Sequence, residues 1–117
     1  MREIKFRGKR FDNSKYVIGS LILGVSEKAY IQNKNGTYEV DTETIGQYTG
    51  LKDKNGKKIY EGDVVKCVMR SKEEYFTGVV SMPKSCWVVG EKQSNGFVKY
   101  RRTANFKEFE IIGNIHE

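Results

Sequence analysis

A chain of 117 residues with 21 lysines and arginines against 15 acids carries a formal charge of +6 and a pI near 9.3. Mean hydropathy is −0.63 and the apolar fraction 38%, so the core is modest, and no apolar run approaches the ~20 residues of a membrane span. One proline, 12 glycines and 12% aromatics suit a β-rich soluble domain rather than a disordered chain, one long enough to fold without a metal or disulfide staple.

The N-terminus sets Ile4 and Phe6 in alternation with Glu3, Lys5 and Arg7. Period two predicts a half-buried first strand whose cations point to solvent, and it excludes a signal peptide. Tyr16–Leu23 is apolar except for Gly19 and Ser20 and predicts a central strand. Residues 28–41 predict a hairpin. Asn35-Gly36 is the preferred pair for a type I′ loop, which sets Lys34 opposite Thr37 and Ile31 opposite Val40, with Tyr38 on the Val40 face.

The next stretch, Asp53-Lys54-Asn55-Gly56-Lys57, predicts a different turn. A two-residue Asn-Gly loop would put Lys52 opposite Ile59 and mix the faces. A type I turn with Gly56 as the left-handed residue of a bulge puts Leu51 opposite Ile59, with the Asp53 carboxylate capping the turn amides. Beyond Glu61-Gly62-Asp63, strands are expected at Val64–Met69, Tyr75–Met82, Cys86–Gly90, Phe97–Arg101 and Phe109–Ile115. No long segment carries a helical apolar period, so little helix is expected. Strand count, the Gly-Asp turn, Gly78-Val79-Val80 and the lone Trp87 together suggest a mostly β protein. Its expected plan is an SH3-like small barrel over 61–117, with an N-terminal strand and β-hairpin region over 1–60 packed on it.

Catalytic and metal chemistry find little support. Gly50 to Lys58 resembles a phosphate loop in composition, but five residues separate its glycines, Lys58 stands where Ser or Thr belongs, and no helix follows. Asp53 and Asn55 begin like a calcium loop, but Gly56 comes two places early and no bidentate Glu closes it. His116 is the sole histidine and no nucleophile elbow is present. Glu61 and Asp63 share a strand face, yet such a pair more often caps a turn. Cys67 and Cys86 sit in apolar runs without a second ligand nearby and read as reduced core residues. The expectation is a protein that is not an enzyme, with no catalytic residues, no metal and no cofactor.

Charge is distributed unevenly. Residues 1–10 carry Arg2, Lys5, Arg7, Lys9 and Arg10 against Glu3, and 91–102 carry Lys92, Lys99, Arg101 and Arg102 against Glu91. Cations mixed with aromatics on a small β surface suit nucleic acid, since phosphates pair with the former and bases stack on the latter. The candidate nucleic-acid-binding residues are Lys5, Arg7, Lys9, Arg10, Lys99, Arg101 and Arg102. The competing class is a protein-interaction or assembly module, with another protein or a second copy as partner; no membrane partner is expected.

Four blocks carry a family resemblance: Met1–Arg7, Gln47–Gly56, Ile59–Val65 and Ile112–Glu117. In this order they resemble the YopX family of small proteins carried by phages and prophages. The resemblance implies a β-rich fold, phage or prophage origin and a place in the bacterial host cytoplasm, which makes a host or phage protein the partner of the interaction-module alternative, and it brings no catalytic residues. Gly8-Lys9-Arg10-Phe11 departs from the family's aromatic-acidic continuation after the first strand.

Overall fold

The computed structural model describes residues 5–71, 74–83 and 86–116. Eleven strands form antiparallel sheets of six and five strands, with no α-helix among the described residues. The chain divides into two compact units, Met1–Tyr48 and Thr49–Glu117.

The first unit holds β1 (Phe6–Lys9), β2 (Tyr16–Leu23), β3 (Ala29–Asn33) and β4 (Gly36–Val40), in the spatial order β4-β3-β2-β1. The start of β5 (Gly46–Lys52) pairs with the free side of β1, through Phe6↔Gln47 and Arg7↔Gly46. Its core is Val17, Ala29, Ile31 and Val40, with Phe6, Leu21, Tyr38 and Ile45 packed against it. The expected strand at Tyr16–Leu23 forms, but it is buried on one face only: Ile18 and Ile22 are exposed while Val17 is buried. Ile4, expected in the first strand, lies outside the described residues.

The β3–β4 hairpin corrects the expected register. Asn33 pairs with Gly36 and Ile31 with Tyr38, so the loop is Lys34-Asn35 rather than Asn35-Gly36. Asn33 sets this turn, because its Oδ1 accepts the Asn35 N–H at 2.9 Å while its Nδ2 donates to the Ile18 carbonyl. Lys34 and Asn35 keep negative φ and Gly36 takes the positive one, 149°. The slip is two positions in the pairing sum, so Ile31, Tyr38 and Val40 still share the apolar face.

The second unit contains the rest of β5, β6 (Lys58–Tyr60), β7 (Asp63–Met69), β8 (Tyr75–Ser81), β9 (Val88–Lys92), β10 (Val98–Arg102) and β11 (Phe106–Asn114). The last five form a sheet in the order β10-β9-β8-β7-β11. Both β10 and β11 stand at ends of this order, and no pairing among the described residues closes it into the barrel expected from the strand count. Ile59, Val65, Cys67, Phe76, Val80, Val89, Phe106 and Phe109 make its core, with Leu51 and Trp87 packed alongside.

The expected boundary near residue 60 falls inside this unit, because the 53–57 turn is tied into it. Asp53 Oδ1 accepts the N–H groups of Asn55 and Lys57, and its Oδ2 accepts that of Ile111 on β11. Lys54 N–H donates to the Phe109 carbonyl. The turn itself is the bulged one: Gly56 has φ 82° and donates to the Asp53 carbonyl, and Asp53 N–H donates to Lys57. Counting back from that closing pair sets Leu51 across from Ile59. Asp63, 1% exposed, accepts the Tyr60 N–H through Oδ2 and fixes the turn at Gly62, whose φ is 92°.

Both cysteines are free, but they differ. Cys67 is fully buried, and desolvation pushes its thiol up to about 12; Cys86 is half-buried. Only the thiolate reacts. Labelling the native protein with a maleimide at neutral pH is therefore expected to modify Cys86 and to reach Cys67 only on denaturation. Equal labelling of both in the native state would contradict the packing around Cys67.

Candidate nucleic-acid interface

β1 sorts the N-terminal cations by simple alternation. Phe6 packs on the first unit's core, and a Cβ built on Gly8 would stand 3.0 Å from Val40 Cβ and 3.3 Å from Ile31 Cδ1. With Phe6 and Gly8 committed inward, Lys5, Arg7 and Lys9 lie on the opposite face. Register with β2 puts Tyr16 opposite Lys9 and Ile18 opposite Arg7 on that face. The Arg7 guanidinium carbon lies 4.7 Å from the Tyr16 ring centroid and the Lys9 ammonium 5.7 Å from it, both within cation–π range. Tyr16 is half-buried and Ile18 is 43% exposed. The result is an aromatic ring braced by two cations, with an apolar side chain beside it.

Arg10 does not join this group. It is one residue out of phase, bridged to Val40, and its guanidinium lies 4.1 Å from the Tyr38 ring. Its Nε donates to Asp12 Oδ1 at 2.8 Å. The hydrogen bond from Arg10 holds the Asp12 carboxyl below its ordinary range, and Asp12 in turn raises Arg10.

Alternation also divides the C-terminal candidates. Lys99 pairs with Glu91 and Arg101 with Val89, on the core side of the five-stranded sheet; Tyr100 and Arg102 lie on the other side. Arg101 is half-buried, with its guanidinium carbon 5.6 Å from the Phe76 ring. Lys99 and Arg102 are exposed at the sheet edge. Tyr100, which alternation with Val98 could have placed in the core, is 59% exposed and covers Gly90, where an added Cβ would meet Tyr100 Cε1 at 2.8 Å.

Sequence reasoning missed two features. Tyr16 lies in the expected central strand, and its place beside Lys9 depends on a β1–β2 register that the connection over 10–15 does not fix by itself. The second unit also holds a cavity of about 620 Å³ whose lining includes Lys52, Lys54, Arg70 and Lys107. Those cations are scattered over three segments, and only the fold gathers them.

Among the described residues no three His, Cys, Asp or Glu side chains group as metal ligands. No helix among them is long and apolar enough to cross a membrane. A search of curated proteins returns no match. The family model described as YopX protein matches residues 5–117, nearly the whole length, and takes in the Tyr48–Val65 turn motif and the closing strand. On that coverage the chain belongs to the YopX family.

Proposed function

We propose that this protein is a non-catalytic nucleic-acid-binding protein of the phage or prophage life cycle, acting in the host cytoplasm. The supporting observation is the β1 face, where Lys5, Arg7 and Lys9 share one side of the strand and the last two stand by the Tyr16 ring. Cations there suit phosphates, and the half-buried tyrosine adds an aromatic ring of the kind that contacts bases. The second unit is read as an open variant of the SH3-like plan, five short antiparallel strands with the 49–60 hairpin on their core.

The test is fluorescence-anisotropy titration of a labelled single strand, a duplex and an RNA with the full chain and with Lys5→Gln/Arg7→Gln/Lys9→Gln. All three are half-buried but none belongs to the first unit's core cluster, so the variant is expected to stay folded, which a thermal melt checks. Its affinity is expected to fall by about 30-fold or more, at roughly one salt-sensitive contact per cation. Unchanged affinity would remove the β1 face from the reading.

One observation favours the interaction-module reading. β10 is an end strand carrying Val98 and Tyr100, 43% and 59% exposed, after Phe97 at 75%. An open edge with apolar side chains invites a further strand. Sedimentation velocity distinguishes the two: on this reading the chain self-associates and Val98→Lys returns it to monomer.

A further inference from the structure

We infer that the second unit carries its own binding site for a linear phosphate chain, in the cavity between the 52–54 turn and the start of β11. The site does not depend on the β1 face, and of the cations that the sequence suggested only Arg101 borders it.

Its charge is the first reason. Lys52, Lys54, Arg70 and Lys107 line the cavity, against Asp53 and Glu108. Asp53 keeps its charge, but it is 7% exposed and its two oxygens already accept three backbone N–H groups, so that charge is turned inward toward those donors. Lys54 is shared with Glu110, at 3.6 Å in an exposed pair of the kind that competes poorly with a bound anion. A concave surface with this balance focuses positive potential.

Arg70 is the second reason. Its backbone N–H donates to the Asn105 carbonyl at 3.0 Å and its Nε donates to the Ala104 carbonyl at 2.9 Å. The 3₁₀ turn at Thr103–Asn105 thereby holds the guanidinium in place, though the residue is exposed. An arginine fixed through Nε keeps its terminal nitrogens as a pre-oriented fork, the geometry that grips a phosphate through two hydrogen bonds.

The shape argues for a chain rather than a single anion. Arg70 and Ala104 also line an adjoining cavity of about 310 Å³, which Arg101 edges. Arg70 therefore stands between two spaces, each wider than one phosphate, and Arg101 gives the second its own cation. Leu51, half-buried above the core residues Phe106 and Phe109, supplies apolar lining to the first space. A nucleic-acid strand and inorganic polyphosphate share the chemistry that would be recognised. An acidic peptide has the sign but a lower charge density.

The experiment uses the full chain, Lys52→Gln/Arg70→Gln, the β1 triple variant and the five-site combination, with thermal melts to show that each is folded. Both Lys52 and Arg70 are exposed, so the fold is expected to survive. Probes are a labelled oligothymidylate, inorganic polyphosphate and polyglutamate as the peptide control. The β1 triple variant is expected to keep measurable polyphosphate binding, which Lys52→Gln/Arg70→Gln then lowers by about tenfold or more, with a shallower salt slope. Polyphosphate bound and oligothymidylate refused would support this site and overturn the nucleic-acid reading. Identical binding with and without Lys52→Gln/Arg70→Gln, in both backgrounds, would overturn the site, as would a preference for polyglutamate.

Discussion

Gly78→Ala is expected to lower stability by about 3 kcal/mol or more, read as a fall in the urea midpoint with an unchanged slope. Gly78 pairs with Val65 on β7, in the row of β8 that faces the second unit's core. A Cβ built there would stand 2.3 Å from the Gly90 carbonyl oxygen and 2.6 Å from its carbon, with Val89 Cγ1 at 3.0 Å. The first two are backbone atoms of β9, so no side-chain rotation relieves the clash. Either the β8–β9 ladder moves or Val89, which is fully buried, shifts in the core. Gly50 is the control: it has φ 85° but nothing within 4 Å of an added Cβ. Gly50→Ala should therefore cost only the left-handed strain, about 1 kcal/mol. Equal midpoints for the two variants would show that β9 does not approach Gly78 closely.

The second large effect is expected at Asp53, where Ala is predicted to cost about 3 kcal/mol. Three backbone donors lose their acceptor, and hydrogen bonds to a charged group contribute roughly 1.5–3 kcal/mol each before relaxation and water recover part of the loss. Asn is the sharper probe. Its Oδ1 still accepts from Asn55 and Lys57, but its amide group meets the Ile111 N–H donor to donor, so an intermediate loss is expected. The pH dependence has a definite sign. Burial alone would raise the Asp53 carboxyl, but the N–H groups of Lys57, Ile111 and Asn55, with the Lys57 ammonium, outweigh it and hold it below its ordinary 3.8. The native state thus favours the ionised form. That stabilisation is fully present above about pH 4 and is lost as pH falls through the lowered value. The gap in stability between the parent and Asp53→Asn should narrow on acidification; a constant gap from pH 7 to pH 2 would contradict the capping role.

These two residues also show what was legible in the chain. The Asp53–Lys57 turn follows from local rules, since a bulge was the only loop that kept Leu51 and Ile59 on one face, and the structure has it. The β3–β4 loop obeys the same rules with two candidate pairs. It was decided by the Asn33 side chain, which bonds across to Ile18 on another strand, a contact that local sequence does not encode. Strand positions from Asp63 onward were readable from alternation, but closure was not, because a ladder closes through pairings between distant strands. The cations divide similarly. Lys5, Arg7 and Lys9 follow from period two along one strand. Arg70 comes near Lys107 through the β7–β11 pairing, which spans some forty residues of sequence, and Lys52 joins them through the bonds of Asp53 and Lys54 to β11. Gly78 was legible only as part of the Gly78-Val79-Val80 strand; its close approach to Gly90 needs the β8–β9 pairing.

The proposed contact is between the cations on the β1 face of this YopX-family chain and phosphates. Its most direct measurement is the salt dependence of binding to a single-stranded oligonucleotide, taken as the slope of log K against log salt. Each phosphate neutralised contributes about −0.7, so Lys5, Arg7 and Lys9 together predict that about 2 units of negative slope disappear in their triple glutamine variant. A slope that is flat in the parent, or equally steep in the variant, would contradict it.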